Sequence, residues 1–170
     1  MIRLAVVCLA LSWAGVAAAD VGTFNLQTGA TQLDVVGETK WRPTLRADFA
    51  FDVWGPLQAG AFAQVMASGL PLRSPRLGGG LLVALRPEIP VVRLRPLLEA
   101  SAGRMQIAIG SGERESAWVT SVAAGLGIGL APNTFLEARV THSWLHQLPT
   151  NTRLENRTWL VSVGIGVDID

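Results

Sequence analysis

Residues 158–170 read T-W-L-V-S-V-G-I-G-V-D-I-D and alternate in chemical character along almost their whole length. One set of alternate positions is entirely apolar and consists of Trp159, Val161, Val163, Ile165, Val167 and Ile169. Because successive side chains of a strand point to opposite faces, the segment predicts a β-strand with one apolar face. Such a strand is longer than the strands of globular proteins, which usually have about 5–6 residues. Its length suits a tilted strand that crosses a bilayer, which needs about 9–11 residues.

The N-terminus has the layout of a secretory signal peptide. Arg3 precedes an apolar run over residues 4–16, and three alanines at 17–19 come before Asp20. The run is shorter than the roughly 20 residues that a membrane-spanning helix needs, so we expect cleavage after Ala19. The predicted organisation is a signal peptide at 1–19 and one domain at 20–170. Cys8, the only cysteine, lies in the signal segment, so we expect no disulfide and no cysteine-based metal site in the mature chain.

The composition is apolar without containing a long apolar segment. Hydrophobic residues make up 49% of the chain and the mean hydropathy is +0.36, which is high for a soluble domain. After the signal segment no stretch approaches the about 18 consecutive apolar residues of a membrane helix. This pattern excludes a helical membrane protein and favours a membrane barrel, in which only alternate residues meet lipid. Basic and acidic residues number 14 and 13, so nothing indicates a nucleic-acid surface.

The same alternation recurs in segments separated by turn residues. With residues 20–31 taken as a tail, the candidate strands are 31–36, 41–53, 57–66, 77–86, 92–103, 118–130, 135–144 and 158–170. Short connectors at 54–56, 86–90 and 131–134 alternate with longer ones at 68–76, 104–116 and 145–157, with 37–43 between. Outer-membrane barrels have short periplasmic turns and longer external loops. The pattern therefore predicts an all-β, antiparallel up-and-down transmembrane barrel of eight strands, with a bulge at Pro96.

Four tryptophans fall at strand ends beside the longer connectors and share the parity of the apolar positions: Trp41, Trp118, Trp144 and Trp159. Tryptophan prefers the membrane interface because its ring is apolar while its N–H seeks water. We predict that these residues form an aromatic girdle at the outer interface; ordinary core tryptophans are the alternative. Trp54 lies in a short connector on the other parity and fits the girdle less well.

Charged residues within the strands share the opposite parity. On the lipid face an arginine would cost roughly 2–4 kcal/mol at the bilayer midplane, so these groups are expected to point inward and pair. The predicted lumenal network consists of Arg46, Asp48, Asp52, Arg93, Arg95, Glu99, Glu137, Arg139 and Asp168, and Asp34 has the same parity. The alternative is a soluble secreted barrel that binds an apolar ligand and carries these charges on its watery face. The many small residues on this face favour a narrow lumen.

The mature chain resembles the porin-like family of small outer-membrane β-barrel proteins. Residues 162–169, S-V-G-I-G-V-D-I, are similar to the family's C-terminal assembly signal, polar-x-Gly-x-x-hydrophobic-x-hydrophobic. Ile169 stands where the family usually has an aromatic residue, and Asp170 is an additional residue. The resemblance implies the outer membrane of a Gram-negative-type bacterium. It also implies outer-membrane lipids and, during biogenesis, the barrel-assembly machinery as partners.

The sequence offers little for catalysis. A catalytic barrel of this size would resemble the lipid A deacylases, which use a His-x-Ser pair with an acidic partner. Here His142 is followed directly by Ser143, so the two side chains fall on opposite faces of a strand. Ser143 and His146 straddle a strand end and could meet only through an unusual turn. We therefore predict that the protein is not an enzyme, that it has no cofactor and that it has no metal site.

The expected role is structural, or one of surface interaction through the external loops 104–116 and 145–157. The surface ligand is not readable from these loops. An interior enclosed by about eight strands is just wide enough for side chains, which excludes a pore for large solutes. A narrow passive channel and a lipid-A-modifying enzyme remain as alternatives.

Overall fold

A computed structural model of the chain is a closed antiparallel barrel in which each strand pairs with the next and the last pairs with the first. It describes residues 22–35, 38–67, 75–89, 91–108, 114–146, 148 and 154–169. The strands are β1 (Gly22–Val35), β2 (Glu38–Trp54), β3 (Leu57–Met66), β4 (Arg76–Leu85), β5 (Leu94–Ala108), β6 (Arg114–Ala131), β7 (Thr134–His146) and β8 (Leu154–Ile169). The eight-stranded up-and-down barrel is confirmed, and the predicted signal peptide lies outside the described residues.

Several strands run further than the sequence pattern predicted. β2 begins at Glu38, within the predicted connector 37–43, and β5 extends through Ala108, within the predicted loop 104–116. At this external end only residues 109–113 connect β5 to β6, and 147–153 connect β7 to β8. The polar residues here predict a loop, but their backbone groups pair across the hairpins, which the side-chain pattern alone does not reveal.

The prediction that residues 20–31 form a tail was wrong. β1 begins at Gly22, which lies opposite Phe51 of β2 and Ile169 of β8. Barrel closure supplies hydrogen-bonding partners on both sides of β1, so this strand forms although its alternation is weak. The predicted inward parity of Asp34 places the neighbouring Leu33 on the outer face. The structure shows the opposite, because Leu33 is buried in the lumen. The side chain of Asp34 lies outside the described residues.

Two local predictions at the periplasmic end are corrected by the pairing. Pro96 lies opposite Leu126 in an uninterrupted β5–β6 register, so it forms no bulge there. The β4–β5 ladder begins only at Leu98, so β4 requires no hydrogen bond from Pro96. Trp54 follows a register shift after Asp52 and is 82% exposed, although its sequence parity predicted an inward direction.

The two faces of the wall have opposite character. Val163 and Ile165 are 46% and 53% exposed on the outside, whereas Arg46 and Arg139 are almost completely buried inside. An apolar exterior around a charged interior is the arrangement that lipid requires and water disfavours. It is the reverse of the arrangement expected for a soluble barrel. Among the described residues, no helix is long and apolar enough to cross a bilayer.

One aromatic contact depends on a glycine near the periplasmic end. Phe135 of β7 is buried, and its ring covers Gly166 of β8, the residue directly opposite. A Cβ added to Gly166 would lie 2.1 Å from the Cζ atom of Phe135. Covering a strand glycine with an aromatic ring stabilises the pairing of the two strands.

Substitution Gly166→Ala is therefore expected to destabilise the barrel by about 1–3 kcal/mol, the usual cost of overpacking. Urea unfolding in phospholipid vesicles measures the loss. Gly127→Ala is the matched control, because its added Cβ would lie 3.3 Å from the same ring and requires only a small shift. The added Cβ would also lie 2.3 Å from Asn25 Oδ1. A Gly166→Ala variant that is no less stable than Gly127→Ala would contradict this explanation.

Candidate functional site: the lumen and the outer girdle

Arg139 of β7 is the centre of a buried ion network in the lumen. Its Nη2 and Nη1 atoms donate to Glu137 Oε1 at 2.6 Å and to Glu99 Oε2 at 2.7 Å. The same Nη1 lies 3.3 Å from Asp48 Oδ1. Arg46 Nη2 completes the cluster by donating to Glu99 Oε1 at 2.5 Å. Residues far apart in sequence therefore meet because three strands, β2, β5 and β7, direct them toward one axis.

Neutral side chains add further hydrogen bonds to this network. Asn25 Nδ2 donates to Asp48 Oδ2 at 3.1 Å, and Gln27 Nε2 donates to Glu137 Oε1 at 2.6 Å. Ser162 Oγ in turn donates to Gln27 Oε1 at 2.8 Å. Asn25 and Gln27 stand in the segment that the sequence pattern assigned to a tail, so sequence reasoning missed both residues.

Arg86 also belongs to the network, although the sequence pattern places it at the junction between a strand and a turn. Its Nη2 lies 3.4 Å from Asp48 Oδ2 and 3.7 Å from Glu137 Oε2, and its side chain is buried. Pro87 suggested a turn, but Arg86 continues the inward parity of Leu82 and Ala84. The network then contains three arginines and three carboxylates, which makes it electrically neutral.

A second, more exposed set of charges lies at the periplasmic mouth. Arg95 forms ion pairs with Asp168 and with Glu88 Oε2, the latter at 3.0 Å. Asp52 is exposed and accepts a 2.7 Å hydrogen bond from Gln58 Nε2. The central network of described residues thus includes Arg46, Asp48, Glu99, Glu137 and Arg139, while Arg95, Asp168 and Asp52 form a rim.

Arg93 occupies neither the network nor the rim set. It is exposed in the turn 91–93, one residue before β5 begins, and has a positive φ of 49°. Its carbonyl accepts a 2.9 Å hydrogen bond from the Gly129 N–H. The predicted strand began at 92, whereas Arg93 belongs to the turn before β5 and its side chain is exposed.

The external mouth of the lumen is closed by apolar side chains. This apolar plug consists of Leu33, Met66, Met105, Ala117, Val119 and Leu145, with Leu148 packed against it. Between the plug and Arg46 lies a cavity of about 10 Å³. That volume is comparable with the space for one water molecule. The lumen therefore combines a charged middle with an apolar outer end.

The four tryptophans of the predicted girdle all lie near the external ends of their strands. Trp41, Trp118 and Trp159 are 53%, 46% and 43% exposed on the outer face. Trp144 is partly buried, and the ring of His142 contacts both Trp144 and Trp159, with centroid distances of 4.4 and 4.2 Å. A belt of aromatic rings at this level is typical of membrane barrels.

Among the residues that the structure describes, neither histidine contacts a serine hydroxyl. His142 points outward between the two tryptophans, whereas Ser143 is buried in the lumen and accepts a 2.8 Å hydrogen bond from Ser121. His146 Nε2 lies 2.8 Å from Thr120 Oγ1 on the outer side. Among the described residues, no group of three His, Cys, Asp or Glu side chains could hold a metal ion.

The closed eight-strand topology, apolar exterior, aromatic belt and charge-filled interior define a transmembrane β-barrel of the outer-membrane type. The chain matches no protein-family model and no curated protein sequence.

Solved structures share the fold at low sequence identity. Neisserial surface protein A aligns with a TM-score of 0.69 and 13% identity, over 87% of this chain and 98% of that chain. Ail, the attachment invasion locus protein of Yersinia pestis, aligns with a TM-score of 0.56 and 13% identity, over 88% and 98%. The outer membrane enzyme PagL aligns with a TM-score of 0.54 and 15% identity, over 86% and 99%. At these identities the likeness establishes the fold, and the fold is hosted by proteins of different function.

Proposed function

We propose that the protein is a non-enzymatic outer-membrane barrel with a closed lumen, which acts as a structural or surface-interaction protein through its external connections. The observation that carries this proposal is the filling of the lumen by a neutral ion network beneath an apolar plug. Such an interior stabilises the barrel but leaves little space for a solute. Function then resides on the surface that the barrel presents outside the cell.

The non-enzymatic role is supported by the separation of His142 from Ser143 across the barrel wall. A histidine must lie within hydrogen-bond reach of the hydroxyl whose proton it removes. A lipid-directed enzyme is the second candidate, because the same fold includes the outer membrane enzyme PagL. Unchanged lipid A in cells that express wild type or His142→Ala would exclude a His142-dependent lipid-A-modifying activity.

The closed lumen predicts that the purified barrel gives no steady conductance in planar bilayers. Ions would have to cross both the arginine–carboxylate network and the apolar plug, at a high desolvation cost. The variant Arg46→Gly/Glu99→Gly is the informative comparison, because it removes the Arg46–Glu99 ion pair, together with the contacts of these residues with Asp48 and Arg139, without changing net charge. Steady conductance of the wild type would favour the narrow passive channel instead.

Surface presentation is testable at Lys40, the only lysine of the chain. Lys40 lies near the external end of β2, where its Nζ atom is 2.7 Å from Glu38 Oε2. This hydrogen bond lowers the pKa of the exposed Glu38 carboxyl. A membrane-impermeant amine reagent is expected to label Lys40 on intact cells, with Lys40→Arg as the control. Labelling that requires permeabilised cells would place this end of the barrel in the periplasm and overturn the proposed surface role.

A further inference from the structure

The lipid-facing side of β2, β3 and β4 contains a groove of about 1010 Å³. Its floor is made of small residues: Ala47, Ala59, Ala61, Ala63 and Gly79. Larger apolar side chains flank this floor on both sides and comprise Phe49, Phe51, Leu77, Leu81 and Val83. Alanine and glycine on three neighbouring strands thus produce a concave strip on a surface that is otherwise convex.

The external end of the same groove is polar. Arg104, Gln106 and Ser116 line it, and Arg104 lies directly opposite Gly79 in the β4–β5 register. The Arg104 guanidinium carbon is 4.8 Å from the ring centre of Trp118, which places this cation at the level of the aromatic girdle. Arg104 makes no ion pair with another described residue, and the buried Oε1 atom of Gln106 has no hydrogen-bond partner among the described residues.

We propose that this groove binds one phosphorylated lipid of the surrounding leaflet, with an acyl chain over the alanine floor and the phosphate at Arg104. An empty groove facing hydrocarbon would lose dispersion contacts, so an acyl chain is its natural occupant. A guanidinium presents several N–H donors that match phosphate oxygens, and the Trp118 ring helps to orient it. Gln106 Oε1 can accept a hydrogen bond from a lipid hydroxyl or amide.

The position of the cation argues for a lipid rather than a second copy of the chain. A second barrel would cover the apolar strip, but it would leave Arg104 facing lipid headgroups without a specific partner. A lipid satisfies both ends of the groove, because its acyl chain can cover the alanine floor while its phosphate lies at the external end beside Arg104. This inference goes beyond the proposed surface role and does not depend on the external connections.

Native mass spectrometry of the mature barrel in detergent micelles tests the proposal with dimyristoyl phosphatidic acid as the probe. One bound lipid per barrel is expected. Arg104→Gln should weaken binding by at least about tenfold, the effect of losing one charge-assisted hydrogen bond. Arg157→Gln is the matched control, since Arg157 is an exposed outward arginine near the external end of β8, far from the groove. Equal weakening by both variants would overturn the assignment to Arg104.

Filling the groove provides an independent measurement. Ala61→Phe should abolish retention of the lipid, whereas Ala138→Phe, on the outer face of β7, should leave it unchanged. Dimyristoylglycerol should bind more weakly than phosphatidic acid, and equal binding would contradict the phosphate contact. Inorganic phosphate that competes at the same concentration as the lipid would identify a free-phosphate site. A dimer mass that disappears in Ala61→Phe would identify a second copy as the occupant, and either result would overturn the proposal.

Discussion

Arg139→Met is expected to destabilise the barrel by roughly 3–5 kcal/mol, the range found when one partner of a buried ion pair is removed. Arg139 contacts Glu137, Glu99 and Asp48 at 2.6, 2.7 and 3.3 Å. Methionine replaces part of the side-chain volume but donates no hydrogen bond. Three buried carboxylates would then share two arginines. Urea unfolding in phospholipid vesicles, followed by tryptophan fluorescence, measures the change in unfolding free energy.

The matched control is Arg157→Met, which removes an exposed arginine from β8 and should change stability by less than about 0.5 kcal/mol. Adding Glu137→Gln to Arg139→Met restores a neutral network and should recover part of the lost stability. If Arg139→Met has the same urea midpoint of unfolding as the wild type, the buried ion pairs do not stabilise the barrel.

Val163→Arg is expected to cost roughly 2–4 kcal/mol, because it places a charge on the lipid face near the bilayer midplane. Val163 is exposed on β8, between Trp159 at the outer girdle and Ile169 at the periplasmic end of the strand. A long cationic side chain at this depth can reach water only by deforming the bilayer or the barrel. The same vesicle unfolding experiment measures the loss.

Depth provides the control for this prediction. Ile169→Arg changes another outward residue of β8, but at the end of the strand, where the expected cost falls to about 0–1 kcal/mol. Equal effects at residues 163 and 169 would mean that the exterior is not embedded in a bilayer. The two variants therefore test whether the outer face of the barrel meets lipid, independently of the residues in the lumen.

The sequence predicted most of the barrel because alternation specifies two faces wherever a strand is regular. It identified five members of the central network, since Arg46, Asp48, Glu99, Glu137 and Arg139 all share the polar parity of long strands. It failed where local signals compete with pairing: Pro87 concealed the inward direction of Arg86, and the turn before β5 excluded Arg93.

The external mouth illustrates a different limit of sequence reasoning. The plug residues Leu33, Met66, Met105 and Leu145 come from different strands, and each breaks the rule that inward positions are small or polar. Nothing in one strand indicates that the others supply apolar side chains at the same height. The groove on β2–β4 is similar, because its depth depends on alanines and a glycine that lie side by side only after pairing.

The order of apolar and polar residues by itself determined the class of fold, the position of the aromatic girdle and the inward direction of most charges. The alternation of side chains between two faces is a property of each strand alone. The tertiary structure decided which charges meet, how the external mouth closes and where the outer surface becomes concave. Those features depend on register between strands and on closure of β1 against β8, and strand pairing over long sequence separations leaves no local pattern in the chain.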